Sequence, residues 1–156
     1  MARLFSLISF MCLLQACGQQ TSEVDLKLNG STYHIPKAQL DALVRDQGQI
    51  LVRINSPDRE FKLAHNSRTD REQRETGKLT ISGVNDQFGP YETLSSTVGA
   101  VICIDGVDWN CGFELDDGGV RWSVVFARSR LPQVDSLKQR AAHELEAYRR
   151  LANVKV

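Results

Sequence analysis

The chain has 156 residues, of which 42% are hydrophobic, and its 19 basic and 19 acidic side chains give a formal net charge of zero. This length suits one domain with a sizeable apolar core. The charge balance argues against nucleic acid as a partner, because binding phosphates requires a clustered basic surface.

The N-terminal segment is typical of a cleaved export signal. Arg3 supplies a positive charge at the start, and residues 4–14 form an apolar run that only serines interrupt. A run of this length is too short to cross a bilayer, which needs roughly 20 residues. We therefore predict a signal peptide over residues 1–16 rather than a membrane helix.

The end of this segment, Leu14-Gln15-Ala16-Cys17, resembles the lipobox of bacterial lipoproteins, although Gln15 replaces the small residue that is usual there. The resemblance implies that Cys17 becomes the lipidated mature N-terminus. Such proteins carry a diacylglyceryl group and usually a third acyl chain such as palmitate, which together anchor stably. By the same resemblance, Gly18 implies sorting to the outer membrane, with the domain facing the periplasm.

The rest of the chain is expected to form one domain close to the membrane. The predicted segments are the signal peptide (1–16), the lipidated cysteine with a polar tether (17–23) and a single domain (24–156). The domain begins with a β-hairpin from Val24 to Ile35, because Asn29-Gly30 suits a two-residue turn of type I′. This turn places Leu26 opposite Tyr33.

A short helix is predicted from Pro36 to Asp46. Proline suits the first helical turn, and Leu40, Leu43 and Val44 have helical spacing. Gly48 follows as a stop signal.

Two strands and a polar segment come next. Residues 49–55 and 60–64 predict paired strands, because their apolar residues alternate and a turn sequence joins them. Residues 65–78 contain no large apolar side chain, which predicts a solvated loop. The alternative is a charged contact loop, since loops often carry binding residues. Its partner-binding side chains would be Arg68, Arg71 and Arg74.

A further strand is predicted over residues 79–84, followed by a loop over residues 85–97. The loop contains Phe88 and Tyr91, on either side of Gly-Pro. We expect these two aromatic side chains to fold back over the core, and the alternative is an exposed recognition tip that binds a partner.

Three antiparallel strands braced by a disulfide are predicted for the following part. They span residues 98–104, 111–115 and 120–127. Asp117-Gly118 suits a second two-residue turn. Cys103 and Cys111 are the cysteines left in the exported domain, so an oxidising compartment should pair them. The turn and the disulfide independently place the apolar side chains on one face, which supports both assignments.

Trp109 lies between these cysteines, in a segment rich in aspartate and asparagine. The segment lacks the full pattern of a calcium loop. Trp109 is expected either to stand exposed as a binding anchor on a rigid tip or to fold over the hairpin.

The last predicted element is a helix over residues 135–154. Ser136 and Gln139 fit a capping box, and the core-facing stripe consists of Leu137, Ala141, Leu145, Tyr148 and Ala152. The predicted fold is therefore α+β, an antiparallel sheet of hairpin plus meander packed by this long helix and one shorter helix.

No catalytic motif is present in the sequence. His34, His65 and His143 belong to no known site pattern, and His143-Glu144 lacks the second histidine of the H-E-x-x-H zinc motif. Neither a G-x-S-x-G nucleophile elbow nor a phosphate loop occurs. The sequence thus predicts a non-catalytic protein without a metal or cofactor.

The layout of signal, short tether and small domain resembles that of immunity lipoproteins, and residues 24–40 (VDLKLNGSTYHIPKAQL) are also similar to such proteins. The resemblance implies a protein partner, a toxin such as a phospholipase delivered by a type VI secretion system. The alternatives are an accessory lipoprotein of envelope assembly or stress and, less favoured, a small hydrolase.

Overall fold

The computed structural model describes residues 22–77, 81, 91–104 and 109–150. Cys17, the signal peptide and Phe88 lie outside these residues. The strand predicted at 79–84 also lies outside them, apart from Ile81, which is buried.

The described elements follow one another in a mostly β order. They are β1 (Glu23–Leu28), β2 (Ser31–Pro36), β3 (Leu40–Asp46), β4 (Gln49–Asn55), β5 (Phe61–Asn66), α1 (Ser67–Thr76), β6 (Tyr91–Ser96), β7 (Gly99–Ile104), β8 (Cys111–Asp117), β9 (Val120–Phe126), a 3₁₀ helix (Arg128–Gln133) and α2 (Val134–Arg150). Strands β1 and β2 form a two-stranded sheet, and the others form a seven-stranded sheet in the order β3-β4-β5-β9-β8-β7-β6. All the pairings are antiparallel, which confirms the α+β prediction.

The main core joins the inner face of the seven-stranded sheet to the β1–β2 hairpin and to α2. Its largest fully buried side chains include Trp122, Tyr33, Phe61, Phe113 and Phe126. Helix α2 contributes the predicted stripe of Leu137, Ala141, Leu145 and Tyr148, all buried, whereas Ala152 lies outside the described residues. Burial of each large apolar side chain contributes about 1.5–3 kcal/mol, so this stripe is what fixes α2 on the sheet.

The first hairpin has the predicted register. Leu26 pairs with Tyr33, and Val24 pairs with Ile35. Asn29 and Gly30 have φ angles of 45° and 83°, the positive values that a type I′ turn requires at both central positions.

The helix predicted at Pro36–Asp46 is wrong, because Leu40–Asp46 is strand β3. The register of β3 against β4 shifts between Leu40 and Ala42. Such a bulge inserts one extra residue, so Leu40 and Leu43 both pack against the core although they lie three positions apart. This spacing imitates a helix. Gly48 is the second residue of a two-residue turn (φ 78°) rather than a helix stop.

The solvated loop predicted at residues 65–78 is also wrong. His65 and Asn66 complete β5, and residues 67–76 form α1. The Asn66 side chain accepts hydrogen bonds from the backbone N–H groups of Arg68 and Thr69, and Gly77 ends the helix at φ 70°. No residue of α1 is buried. Caps and ion pairs form this helix without the apolar stripe on which the prediction relied.

The loop predicted at residues 85–97 is only partly described, and its last part is a strand. Tyr91–Ser96 forms β6, the edge strand that pairs with β7. The prediction followed the Gly-Pro turn signal too far, because pairing with β7 overrides it from Tyr91 onwards.

The meander is confirmed, with a corrected turn. Cys103 pairs directly with Cys111, and the two form a disulfide. The β8–β9 turn is Gly118-Gly119, at φ 64° and 82°, rather than Asp117-Gly118. Glycine adopts these angles without the cost that aspartate would bear. Relative to the predicted register, the pairing of β8 with β9 is shifted by two positions, so Phe113 faces Val124. Because side chains alternate with a period of two, this shift preserves the apolar face.

The capping box predicted for the last helix is wrong. Helix α2 begins at Val134, directly after the 3₁₀ helix, so Ser136 lies inside its first turn. The chain enters α2 from an existing helical turn and needs no serine cap.

Candidate functional site

The predicted partner-binding residues occupy separate places. Arg68, Arg71 and Arg74 are exposed on α1. Trp109 is half-buried and packs against the main core and against a small second cluster, with the Lys62 ammonium 5.4 Å from its ring centroid. The second cluster consists of Ile81, Ile102 and Val125. Tyr91 begins the edge strand β6. The structure therefore places the three arginines on one helix and packs Trp109 against the sheet.

Helix α1 is attached to the outer face of the sheet through polar contacts. Gln73 Nε2 donates to Glu114 Oε2 at 3.1 Å. Arg121 Nε lies 3.8 Å from carboxylate oxygens of both Asp70 and Glu114. Burial raises the pKa of the Glu114 carboxyl. The beginning of α1 is tied to β4, because Ser67 Oγ accepts a hydrogen bond from the backbone N–H of Ile50 at 2.9 Å.

A groove of about 240 Å³ opens where the turns of two hairpins meet α1. The Asn29 amide Nδ2 donates to the Gly119 carbonyl oxygen at 3.0 Å. Arg74 Nη2 donates to the same oxygen at 3.3 Å. A side chain on Gly119 would come within 3.2 Å of Asn29 Nδ2, so glycine permits this close approach. We call this cavity the turn groove.

The turn groove has an apolar floor and a polar rim. Leu28, Ile50 and Val120 supply apolar surface. The polar lining includes Lys27, Asn29, His65, Ser67, Asp70 and Arg74.

His65 is the most buried polar side chain of the turn groove, with only 4% of its surface exposed. Its Nδ1 lies 2.8 Å from the Arg121 carbonyl oxygen. A carbonyl only accepts, so Nδ1 carries the proton of the neutral ring and Nε2 is an acceptor. Burial lowers the pKa of His65, which favours this neutral form at pH 7.

A buried network behind the hairpin turns holds their positions. Tyr33 Oη donates to Asp117 Oδ2 at 2.9 Å, and Arg149 Nη2 lies 2.7 Å from Asp117 Oδ1. Burial raises the pKa of Tyr33 to about 12, so its hydroxyl remains a donor at neutral pH. The three side chains connect the first hairpin, the end of β8 and α2.

A second cleft, of about 260 Å³, lies between the β4–β5 turn and α2. Arg140 pairs there with Asp58 and with Glu60, and Arg130 Nη2 lies 3.0 Å from Glu60 Oε1. His143 also lines this cleft. Glu144 also lines the cleft, so three carboxylates face the two guanidinium groups and the cleft does not favour an anionic ligand.

Three absences characterise the described residues. They contain no group of three or more His, Cys, Asp or Glu side chains placed to hold a metal ion. Neither described helix is long and apolar enough to cross a membrane. Ser67 and His65 both line the turn groove, where Ser67 Oγ accepts from Ile50 and His65 Nδ1 bonds to Arg121, but no hydrogen bond joins the Ser67 hydroxyl to the His65 ring in the described part of the chain.

Comparisons with protein-family models, curated proteins and solved structures found no match for this chain. The sequence interpretation assigned no role to Lys27 or Ser67 and placed His65 at the start of a loop. The sequence contains a two-residue turn signal for each of the two hairpins, but only the fold shows that both turns reach the same groove.

Proposed function

We propose that the protein is a lipid-anchored envelope protein, attached to the outer membrane through Cys17, that binds a protein partner and catalyses no reaction. Its partner would be an incoming antibacterial toxin such as a phospholipase, which makes the chain an immunity protein. The observation that carries the proposal is the apolar run that ends in Leu14-Gln15-Ala16-Cys17.

Two further features support the envelope location. The Cys103–Cys111 disulfide is buried, with at most 1% of either residue exposed, and such bonds persist in oxidising compartments such as the periplasm. The tether of residues 18–23 spans about 20 Å at most when extended. It would hold the domain beside the bilayer that a membrane-attacking toxin must reach.

The anchor is tested by changing Cys17→Ser in the full-length protein and following it in membrane and soluble fractions. We expect the variant to leave the membrane fraction. Cys12→Ser is the matched control, because Cys12 lies inside the predicted signal peptide and should not affect anchoring. A Cys17→Ser protein that still sediments with membranes would contradict the anchor assignment.

The partner is tested by affinity purification of the full-length lipoprotein from cells exposed to competitor secretions. We expect a secreted toxin to co-purify and a deletion strain to lose survival under attack. A toxin gene beside the gene for this chain would agree with that result. A leaky outer membrane in the deletion strain, without any toxin and without a captured partner, would instead favour the accessory-lipoprotein function.

A further inference from the structure

Three side chains that line the turn groove have unused hydrogen-bond donors. Ser67 Oγ accepts from Ile50 and makes no other hydrogen bond among the described residues, so its own proton is free to be donated. Within the same part of the chain Lys27 makes no ion pair, although it lines the groove. Arg74 uses Nε and Nη2 for Asp70 and Gly119, which leaves the N–H groups of Nη1.

The lining side chains of the turn groove carry two positive charges, on Lys27 and Arg74, and one negative charge, on Asp70. Asp70 is the carboxylate among its described lining residues. Arg74 Nη2 lies 2.7 Å from an oxygen of Asp70, and Arg121 Nε lies 3.8 Å from the other. Asp70 is therefore already shared between two guanidinium groups, of which that of Arg121 also lies 3.8 Å from Glu114. Among the described residues, the ammonium of Lys27 has no ion-pair partner.

The size and floor of the turn groove suit a single side chain. Its volume of about 240 Å³ lies below the range of roughly 300–1,000 Å³ for small-molecule pockets. Leu28 and Val120 are buried under it, so methylene groups of an occupant would contact apolar surface.

We infer that the turn groove receives an acidic side chain of the protein partner, whose carboxylate pairs with Lys27 and accepts hydrogen bonds from Ser67 and Arg74. This inference rests on the proposed function, since it takes the partner to be a protein. Hydrogen bonds to a charged acceptor are about twice as strong as neutral ones, so a carboxylate uses this donor set better than an amide or hydroxyl does.

The first experiment tests the turn groove without the partner. The full-length protein, in detergent, is titrated with N-acetyl-glutamate N-methylamide while the backbone amide signals of Ser67, Gly119 and Val120 are followed by NMR. We expect saturable shifts with this probe and none with the matching glutamine amide. Shifts of equal size with both probes would overturn the inference.

Lys27→Met should weaken binding of the glutamate probe by about fivefold, because it removes the ammonium that pairs with the carboxylate, and Lys27 is exposed, where such a pair contributes less than a buried one. Lys37→Met is the matched control, since Lys37 is exposed and does not line the turn groove. Unchanged affinity in Lys27→Met would overturn the inference.

The second experiment uses the captured partner and separates the two proposals. Lys27→Glu should abolish co-purification, whereas Lys37→Glu should preserve it. A partner that binds Lys27→Glu as well as the wild type would overturn the inference and leave the proposed function intact. If acetate binds the turn groove as tightly as the glutamate probe does, the groove recognises a free carboxylate, and this outcome would also overturn the inference. Capture of no partner by the wild type would contradict the proposed function, and the NMR titration would still decide the groove.

Discussion

The two described α-helices of this protein are held to the same sheet by different physical means. Helix α2 has 17 residues and buries an apolar stripe in the main core. Helix α1 has 10 residues and buries none of them. A helix stabilised by the core shows apolar periodicity in its sequence, whereas a helix stabilised by caps and ion pairs resembles a polar loop in sequence.

This difference should also appear in the energetics. Apolar burial depends on area and is not weakened by screening. The contacts of α1 are charged or capping groups near the surface, and salt screens interactions between exposed charges. We therefore expect α2 to be lost only on global unfolding and α1 to open locally.

The largest predicted effect is on α2. Leu145→Ala should lower the free energy of unfolding by about 2–5 kcal/mol, because Leu145 is fully buried and its truncation leaves a cavity. Urea unfolding measures this change. His143→Gln, on the exposed side of the same helix, should stay within about 0.5 kcal/mol of the wild type. A Leu145→Ala cost below that of the control would mean that the stripe does not hold α2.

The second predicted effect concerns the polar connection of α2 to the hairpin turns. Tyr33→Phe removes the donor to Asp117 and should lower the free energy of unfolding by about 1–3 kcal/mol, because the buried carboxylate loses a partner. Tyr148→Phe is the comparison variant, since its hydroxyl donates to Gln39 in a part-buried contact. Equal effects of the two variants would contradict a special role for the Asp117 network.

The third predicted effect is on α1. Asn66→Ala removes the N-cap and should cost about 1 kcal/mol. Hydrogen exchange should show faster exchange of α1 amides, with the α2 amides unchanged. Arg71→Ala, at an exposed position of α1, serves as the control and should leave the exchange rates of both helices unaltered. Faster exchange in α2 as well would show that the helices open together.

The smallest predicted effect is the coupling between Arg68 and Glu72 on the exposed side of α1. Arg68 Nε lies 2.7 Å from Glu72 Oε1. A double-mutant cycle with alanine should detect coupling at low salt and none in 1 M sodium chloride, because salt screens exposed pairs. The cost of Leu145→Ala should be the same in both solutions. A coupling that survives high salt would place the pair in a less exposed setting than the structure does.

The turns show how far local sequence can predict this fold. Asn29-Gly30 was identified correctly, because the flanking strands alternate without interruption. Gln47-Gly48 makes the same kind of turn, with φ angles of 45° and 78°, but the bulge near Leu40 gave its first strand a helical spacing. For the β8–β9 turn, the sequence predicts Asp117-Gly118, one position before the observed Gly118-Gly119. Both overlapping pairs suit a two-residue turn, and strand pairing decided between them.

Sequence by itself determined the features that depend on local periodicity and on covalent chemistry. These are the α+β class, the first hairpin, the α2 stripe and the Cys103–Cys111 pairing. Tertiary structure alone decided where α1 packs, because Asp70 and Gln73 of α1 meet Arg121 and Glu114 from distant strands. It also decided the turn groove, in which Lys27, His65 and Gly119 converge across the chain. No local pattern encodes that convergence, because it follows from how the β1–β2 hairpin packs against the seven-stranded sheet.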